Sequence, residues 1–287
     1  MPSMCPKVTA EPSTPVLTLR ELRSRYAAEI GNAMEAELLM THAIGRNRAW
    51  LYAHLDDPAG RIERMEQWIE RRRGGEPVAY ILGQREFYGR EFIVTPDVLI
   101  PRPETELLID LALKLPLPDD ARVLDIGTGS GCIALTLAAE RPGWTVIASD
   151  VSGPALAVAN RNRTRLDLEH IEFFEVDLYP SNGSLNLNLI ISNPPYITET
   201  DEHLKQGDVR FEPRVALSPG ADGLDAIRRL IATAPTHLVA DGWVLVEHGH
   251  DQGPAVAELF RKYGFGAIKT CKDLAGHDRV TSGCFGG

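Results

Sequence analysis

The amino-acid sequence predicts an α/β fold with a doubly wound, mostly parallel sheet, preceded by a small helical domain and a β-hairpin. From about Arg122 onwards, short apolar segments alternate with segments of helical periodicity, and this alternation is typical of parallel sheets. A glycine-rich turn, VLDIGTGSGCIAL, joins the first of these strands to its helix. Turns of this kind bring the backbone close to a ligand at the positive end of a helix.

The N-terminal part of the chain is predicted to be helical. Residues 18–21 have the form of a capping box, and the helix that follows would end at Gly31. Asn32 repeats the start signal for a second helix, which would end at Gly45. A third helix is expected to begin after Pro58. These signals indicate a small helical domain ahead of the sheet.

A hairpin and an α/β domain are predicted for the rest of the chain. The aromatic and β-branched residues on either side of Gly89 indicate the hairpin, and a helix is expected near Glu104. The strands of the α/β domain are expected at RVLDIG, TVIASD, IEFFEVD, LNLIIS, WVLVEHG and GAIKTC. Its helices are expected at CIALTLAAE, at a segment with Pro154 in its first turn, and at 224–238 and 254–263.

Four segments follow from these signals. We expect a disordered tail over residues 1–16 and a helical domain over 17–75. A linker that contains the hairpin would cover 76–100, and the α/β domain would cover 101–287.

The composition limits the classes of function. A net charge of −10 argues against a broad nucleic-acid-binding surface, because affinity for phosphates depends on clustered Lys and Arg. No apolar run approaches the roughly 20 residues that span a bilayer. The four cysteines show neither a C-x-x-C pair nor zinc-finger spacing, so we expect reduced thiols in a cytoplasmic protein and no metal site.

The glycine turn and the next strand predict a nucleoside site. Gly127, Gly129 and Gly131 allow a tight turn and a close approach of a ligand. Asp150 ends the next strand about 20 residues later, where a carboxylate can accept hydrogen bonds from ribose hydroxyls. The alternative is a helix-capping Asp beside glycines that serve only the turn.

The turn fits neither of two phosphate-binding patterns. No Lys follows the glycines as in a P-loop, and G-T-G-S-G does not match G-x-G-x-x-G. An adenosine-bearing ligand without phosphates remains, and S-adenosylmethionine fits that description. Asp125 could balance the cationic end of this ligand or could anchor the turn. Asp177 ends the FFEVD strand, where the adenine edge lies in such folds, and Leu178 would pack on the ring.

The segment LIISNPPYITE ends an apolar strand in Asn193, Pro194, Pro195 and Tyr196. Proline ends strands, which explains the two prolines but not the residues on either side of them. Asn193 precedes a proline and is therefore pushed towards extended geometry, so its side-chain oxygen and the Pro194 carbonyl can converge as two acceptors. Two acceptors that face one NH2 group suit methyl transfer to a planar nitrogen, and Tyr196 offers that group a flat face.

Six motifs together resemble one protein family. PVAYILGQREFYGREF, IPRPETE, LDIGTGSGCIAL, SNPPYI, QGDVRFEP and LVEHG look like the HemK/PrmC glutamine methyltransferases, over roughly residues 17–285. The resemblance implies a Rossmann-like class I S-adenosylmethionine-dependent methyltransferase domain with a seven-stranded, mostly parallel sheet. It also implies methyl transfer to the side-chain amide of the Gln in the Gly-Gly-Gln motif of class I peptide-chain release factors.

The resemblance also implies roles for individual residues. Its cofactor-binding set is Gly127, Thr128, Gly129, Ser130, Gly131, Asp150, Asp177, Leu178 and Asn193. Its substrate-binding set is Asn193, Pro194, Pro195 and Tyr196, of which Asn193, Pro194 and Tyr196 would serve catalysis. Leu178 stands where some relatives have an aromatic residue, so aliphatic packing would replace stacking on adenine.

The resemblance extends to the surroundings of the site. Arg102 and Glu104 would lie near its mouth, although Glu104 could instead cap a helix. The helical domain and the hairpin would form the surface on which the release factor docks. We expect a monomer that makes no direct contact with nucleic acid or membrane.

Three other functions remain open at this point. A near relative with the same tetrapeptide methylates a glutamine of a large-subunit ribosomal protein, although IPRPETE favours the release-factor branch. A DNA adenine methyltransferase would need base flipping and a basic target-recognition region, which this acidic chain lacks. A binding module that keeps the cofactor pocket without catalysis is the third alternative.

Overall fold

The structure is a computed structural model of the 287-residue chain. It describes residues 17–60, 62–180, 183–198, 207–217 and 222–286. The predicted tail over 1–16 lies outside the described residues. The chain divides into two compact units, Met1–Leu82 and Gly83–Gly287. The boundary between them falls inside the segment that is predicted as the linker.

The described part of the first unit contains five helices. They are α1 (Leu19–Ile30), α2 (Ala33–Ile44), α3 (Arg48–Ala53), α4 (Met65–Arg73) and α5 (Val78–Leu82). The predicted capping box is confirmed, since the Thr18 hydroxyl accepts from the Glu21 N–H at 3.2 Å and the Glu21 carboxylate accepts from the Thr18 N–H at 2.9 Å. The Asn32 side chain caps α2 in the predicted position.

Two helices of this unit differ from the prediction. The helix expected after Pro58 begins only at Met65, because Arg64, directly before it, has a φ of 69°, which an α-helix does not allow. Pro58 itself forms an isolated antiparallel bridge with Thr18. The helix α3 is not predicted from the sequence at all. Its six residues bury only Leu51 fully, so the helical periodicity is too short to recognise.

The interior of the first unit is apolar. Side chains from α1, α2, α3 and α4 form one core cluster, in which Leu39, Met40, Leu51 and Met65 are completely buried. Leu39 and its neighbour Leu38 differ sharply, because Leu39 is 0% exposed whereas Leu38 is 41% exposed. Burial therefore distinguishes two residues of identical chemistry in the same helix.

The second unit begins with the predicted hairpin. Strand β1 (Gln84–Phe87) pairs antiparallel with β2 (Arg90–Ile93) through a two-residue turn. Both turn residues, Tyr88 and Gly89, have positive φ angles of 51° and 74°. Such a pair of φ angles is typical of a hairpin turn whose twist matches that of the strands.

The rest of the second unit has the predicted α/β architecture. Its strands are β3 (Arg122–Ile126), β4 (Thr145–Asp150), β5 (Glu172–Glu175), β6 (Leu187–Ser192), β7 (Leu238–Glu247), β8 (Phe265–Lys272) and β9 (Asp278–Phe285). Its helices are α6 (Glu106–Ala112), α7 (Cys132–Glu140), α8 (Gly153–Arg165), α9 (Asp225–Thr233) and α10 (Gly253–Lys262). The strand order is β5-β4-β3-β6-β7-β9-β8, so the prediction of a seven-stranded, mostly parallel sheet is confirmed.

One strand of this sheet is missing from the sequence prediction. Strand β9 lies between β7 and β8 and runs antiparallel to both. It follows β8 directly, without a helix between them, so the alternation that identifies the other strands stops before it. Its sequence, DRVTSGCF, mixes polar residues and glycine and lacks a continuous apolar run.

Both faces of the sheet are covered, as a parallel sheet requires. Helices α6 and α7 pack with Val123, Leu189 and Leu245 in one apolar cluster. Helices α9 and α10 pack with the other face, where residues such as Leu124 and Ile190 lie. Within the described residues, no helix is both long and apolar enough to cross a membrane.

The register of the sheet determines which residues meet at its carboxyl edge. Ile126 pairs with Ser149 on one side and with Ser192 on the other, and Ser192 pairs with Val246. The residues that come next along these four strands are Gly127, Asp150, Asn193 and Glu247. Ligands of open α/β sheets bind at this edge.

We expect Leu39→Ala to lower the free energy of unfolding of the helical unit by about 2–5 kcal/mol, because it removes fully buried methyl groups and leaves a cavity. The matched control is Leu38→Ala, which should change the free energy of unfolding by at most about 0.5 kcal/mol. Hydrogen exchange of the amides in α1 to α4, measured by mass spectrometry, reports on this unit separately. Equal effects of the two variants would contradict the assigned burial.

Candidate active site

A cavity of about 350 Å³ lies at the carboxyl ends of β3, β4, β5 and β6. Cavities of this size are typical of small-molecule sites. Eight of its lining residues are ones that the sequence predicts for the site: Gly127, Gly129, Asp150, Asp177, Leu178, Asn193, Pro194 and Pro195. The sheet therefore brings together residues that are far apart in the chain, from Gly127 to Pro195.

The glycine turn after β3 is held by hydrogen bonds within the protein. The N–H groups of Gly127 and Thr128 both donate to the Ser149 carbonyl, at 2.8 and 3.0 Å, and the Gly131 N–H donates to the Thr128 carbonyl at 2.8 Å. A phosphate cradle needs such N–H groups to point at the ligand. This turn therefore does not offer them to phosphate oxygens.

All three glycines of this turn have positive φ angles, which favour glycine. Two of them also leave space for a ligand, and the third packs against a neighbouring side chain. Gly127 and Gly129 have φ angles of 71° and 56°, and a Cβ atom at either residue would meet no atom within 4 Å. Both line the cavity, so the missing side chains leave open space for a ligand. Gly131 has a φ of 82°, and its Cβ atom would lie 2.9 Å from Leu135 Cδ1.

Three of the predicted loop residues do not line the cavity. Thr128 and Ser130 are buried, and Gly131 lies at the start of α7. Thr128 donates its hydroxyl to Asp125 Oδ2 at 2.6 Å. These residues shape the turn, whereas Gly127 and Gly129 form part of the wall.

Asp150 links the turn to the next strand. Its Oδ2 accepts from the Gly129 N–H at 2.8 Å and its Oδ1 accepts from the Ser152 N–H at 2.9 Å. Burial raises the pKa of this carboxyl, while the backbone N–H groups of Ser152, Gly129 and Val151 oppose that effect. Each carboxylate oxygen has a further lone pair, so Asp150 can still accept hydrogen bonds from a ligand in the cavity.

Asp125 anchors the turn and does not line the cavity. It is completely buried, and its Oδ2 accepts from the Thr128 hydroxyl and from the Ala134 N–H at 3.2 Å. Burial raises the pKa of Asp125 to about 7. Of the two roles that the sequence leaves open for this residue, the contacts favour anchoring of the turn.

The charge of the cavity wall is predominantly negative. Its described charged residues are four aspartates and one arginine, namely Asp97, Asp150, Asp177, Asp225 and Arg229. Asp177 Oδ2 lies 2.5 Å from the Arg229 guanidinium, and this pair is largely exposed. Such a wall favours a ligand that carries positive charge.

Asn193 lies at the end of β6 in a chain of buried hydrogen bonds. Its Nδ2 donates to Thr105 Oγ1 at 3.1 Å, and the Thr105 hydroxyl donates to Glu247 Oε2 at 2.7 Å. Thr105 is 2% exposed and Glu247 is 1% exposed. Because Asn193 lines the cavity and its NH2 group contacts Thr105, its side-chain oxygen is the atom left for a ligand.

Tyr196 is held outside the cavity wall. Its hydroxyl donates to Glu247 Oε1 at 3.1 Å, and its carbonyl accepts from Gln252 Nε2 at 3.0 Å. The flat face that the sequence predicts for Tyr196 is therefore not among the surfaces that line this cavity. Burial, reinforced by the negative charge of Glu247, raises the pKa of Tyr196, so its hydroxyl keeps its proton.

Thr105 and Glu247 receive no role from the sequence, although both lie in quoted motifs. Glu247 ends the apolar strand WVLVE, and a lone acid at the carboxyl end of a buried strand is a signal for a functional position. Thr105 has no comparable signal, because only the fold brings it to residue 193. Burial raises the pKa of Glu247 to about 7.

Arg102 and Glu104 do not line the cavity. Arg102 binds the buried carboxylate of Glu212 with distances of 2.7 and 2.8 Å, and this contact joins IPRPETE to QGDVRFEP. Burial raises the pKa of Glu212 to about 7 against the opposing effect of Arg102. Among the described residues, no group of three or more His, Cys, Asp or Glu side chains could hold a metal ion.

Comparison with known proteins identifies both units. A family model described as "PrmC N-terminal domain" matches residues 19–83, and one described as "Methyltransferase small domain" matches residues 104–209. The chain is also similar in fold to a methyltransferase from Pyrococcus furiosus, with a TM-score of 0.52, 20% identity and coverage of 78% of this chain and 99% of that chain. The hMettl16 catalytic domain gives a TM-score of 0.53 at 19% identity, over 72% of this chain and 79% of that chain.

Sequence relatives are much closer than these structures. A release factor glutamine methyltransferase from Pseudomonas aeruginosa is 49% identical over 252 residues, which are 87% of this chain and 91% of that protein. One from Xylella fastidiosa is 47% identical and covers 90% of this chain and 94% of its own length. One from Neisseria gonorrhoeae is 50% identical over 77% of this chain and 81% of its own length. On this identity and coverage, the chain belongs to the family of release factor glutamine methyltransferases.

Proposed function

We propose that this chain transfers a methyl group from S-adenosylmethionine to the side-chain amide nitrogen of the glutamine in the Gly-Gly-Gln motif of class I peptide-chain release factors. The observation that carries the proposal is Asn193, which lines the cavity while its NH2 group is held by Thr105. An oxygen fixed in this way is an acceptor for a substrate NH2 group. The substrate in the names of its relatives supports the choice of a release factor.

The cavity suits S-adenosylmethionine in size and charge. Its wall is predominantly acidic, and the cofactor carries a positively charged sulfur. Four N–H groups of the glycine turn, those of residues 127, 128, 129 and 131, are used in hydrogen bonds within the protein, as suits a ligand without phosphates. The residues that would hold the cofactor are Gly127, Gly129, Asp150, Asp177, Leu178 and Asn193. Thr128, Ser130 and Gly131 would act by shaping the turn.

The protein's part in the reaction is to position a poor nucleophile. When bound, S-adenosylmethionine supplies an electrophilic methyl group on its sulfur. An amide nitrogen has a delocalised lone pair, so it must be oriented well to attack. Asn193 Oδ1 and the Pro194 carbonyl would each accept one N–H of the glutamine amide and would stabilise the nitrogen as it becomes tetrahedral.

Proton removal does not have to precede the transfer. The nitrogen that has gained the methyl group carries one surplus proton, which passes to water or to a neighbouring acceptor afterwards. Pro195 would contact the substrate at the cavity wall. Tyr196 would hold the tetrapeptide through its hydrogen bond to Glu247.

The helical unit and the hairpin would provide the docking surface for the release factor. Met34 and Leu38, one turn apart on α2, are exposed apolar residues, and such residues commonly take part in protein contacts. We infer that the protein acts as a monomer in the cytoplasm, where translation ends, without direct contact to nucleic acid or membrane.

The decisive test of substrate is mass spectrometry. The purified chain is incubated with S-adenosylmethionine and either a class I release factor or large-subunit ribosomal proteins. We expect one methyl group on the glutamine of the Gly-Gly-Gln motif and none on the ribosomal proteins. If only a ribosomal protein is methylated, the chain is a ribosomal-protein glutamine methyltransferase and the proposed substrate is wrong. If neither protein is methylated, the proposal is refuted.

Asn193→Ala should lower turnover by about 10²- to 10³-fold, because it removes an acceptor that acts mainly in the transition state. Affinity for S-adenosylmethionine should change much less. Turnover is measured with labelled cofactor and release factor, and affinity by calorimetry. The matched control is Asn160→Ala, since Asn160 lies in α8 and does not line the cavity. Normal turnover of the Asn193 variant would contradict the role of Asn193 as an acceptor for the substrate amide.

Asp150→Ala should weaken binding of S-adenosylmethionine by about ten- to a hundredfold, because hydrogen bonds to charged groups contribute about 1.5–3 kcal/mol. Two causes act together, namely the lost ribose contact and the loss of the bond that holds Gly129. Calorimetry on the variant and on the exposed-site control Asp120→Ala gives the comparison. An unchanged Kd for Asp150→Ala would show that Asp150 does not contribute to binding of S-adenosylmethionine.

A further inference from the structure

We propose that Thr105 and Glu247 are positioning residues that fix the Asn193 amide with its oxygen towards the cavity and its NH2 group away from it. The inference rests on the proposed function, because it concerns the acceptor that the substrate NH2 group would use. Neither residue lines the cavity. Their effect would reach the substrate only through Asn193.

The direction of the hydrogen bonds follows from a single proton. A threonine hydroxyl has one hydrogen to donate. Thr105 donates it to Glu247 Oε2 at 2.7 Å, so its oxygen can only accept from Asn193. The Asn193 side chain must therefore present its NH2 group to Thr105, and its oxygen is left for the cavity.

The ionised state of Glu247 sets this direction. A carboxylate only accepts, and two hydroxyls donate to it, from Thr105 and from Tyr196. A protonated Glu247 would carry a hydrogen of its own. It could donate that hydrogen to Thr105, whose hydroxyl would then be free to donate to Asn193. The Asn193 amide would then flip and point its NH2 group at the substrate NH2 group. Both groups are donors, so the required hydrogen bond could not form.

The groups around Glu247 bring its ionisation close to neutral pH. Burial raises its pKa to about 7, and the charge of Glu104 adds to this effect. The hydroxyl donors, including Tyr196, and the positive charge of Arg279 oppose it. The nearby Cys132 thiol has a pKa raised to about 12 by burial and therefore stays neutral. Because Glu247 loses its proton as the pH rises through about 7, the active orientation of Asn193 should be populated above that pH.

The sheet register explains why Asn193 and Glu247 are neighbours. Ser192 pairs with Val246, so Asn193 and Glu247 are the next residues on adjacent parallel strands. Thr105 ends a short 3-10 turn at Pro103–Thr105, just before α6. Its hydroxyl bridges the two strand ends. In the sequence, Thr105 is 88 residues from Asn193 and 142 residues from Glu247.

The first test compares Thr105→Val with Thr105→Ser. Valine keeps the shape but removes the hydroxyl, and we expect kcat to fall by about a hundredfold, as a misplaced reacting group can cause. Serine keeps the hydroxyl and should restore most of that loss. KM and calorimetric Kd for S-adenosylmethionine should remain close to the wild-type values in both variants. Melting temperatures establish that both variants are folded.

The second test is the pH profile of kcat at saturating cofactor. Wild-type kcat should fall as the pH drops below about 7, with the slope of a single proton, because Glu247 becomes protonated. Glu247→Gln has no proton to lose at this position, so its kcat should not show that pH dependence. Asp125 and Glu212 also have pKa values raised to about 7, so the comparison with this variant isolates Glu247.

The inference is overturned if Thr105→Val keeps wild-type kcat, or if Thr105→Ser is as slow as Thr105→Val. It is also overturned if the same pH dependence persists in Glu247→Gln. These outcomes are distinct from failure of the proposed function, in which the wild-type chain itself would transfer no methyl group to the release factor. All measurements use the full chain with an intact release factor.

Discussion

Parallel pairing aligns Ile126 with Ser192, and Ser192 with Val246, at the carboxyl edge of the central strands. This register is the constraint on which the candidate site depends, because it places three strand ends side by side. A shift by one residue would turn every following side chain to the opposite face of the sheet. Asn193 and Glu247 would then no longer be neighbours on the same face.

Several buried polar side chains at this edge are hydrogen-bonded to one another. Thr105, Asn193, Tyr196 and Glu247 form one hydrogen-bonded set, and Asp150 accepts from the backbone of the glycine turn and from that of Ser152, which follows its own strand. An unpaired polar group in such a place would cost stability, so each bond also restricts the orientation of its partners. The result is a preorganised wall, which suits a reaction that depends on orientation more than on acid–base chemistry.

Local signals made much of the fold predictable. The helices α1 and α2 carry their own capping residues, and α7 and β4 follow the apolar pattern of the sequence. The segments that escape prediction lack such signals. Strand β9 is stabilised by pairing with strands on both sides rather than by its own pattern, and α3 is a six-residue helix. The start of α4 has no side-chain cap and follows Arg64, whose backbone is left-handed.

The sequence by itself determined the α/β fold, the glycine turn and the Asn-Pro-Pro-Tyr segment, because each is encoded by neighbouring residues. It also predicted Asp150 and Asn193 as site residues from their places at the ends of recognisable strands, and both line the cavity. Only the tertiary structure decided that Asp125 anchors the turn and that Tyr196 bonds Glu247 outside the cavity. It alone brought Thr105 to Asn193, because a contact across 88 residues is made by the folded sheet and leaves no pattern in the chain.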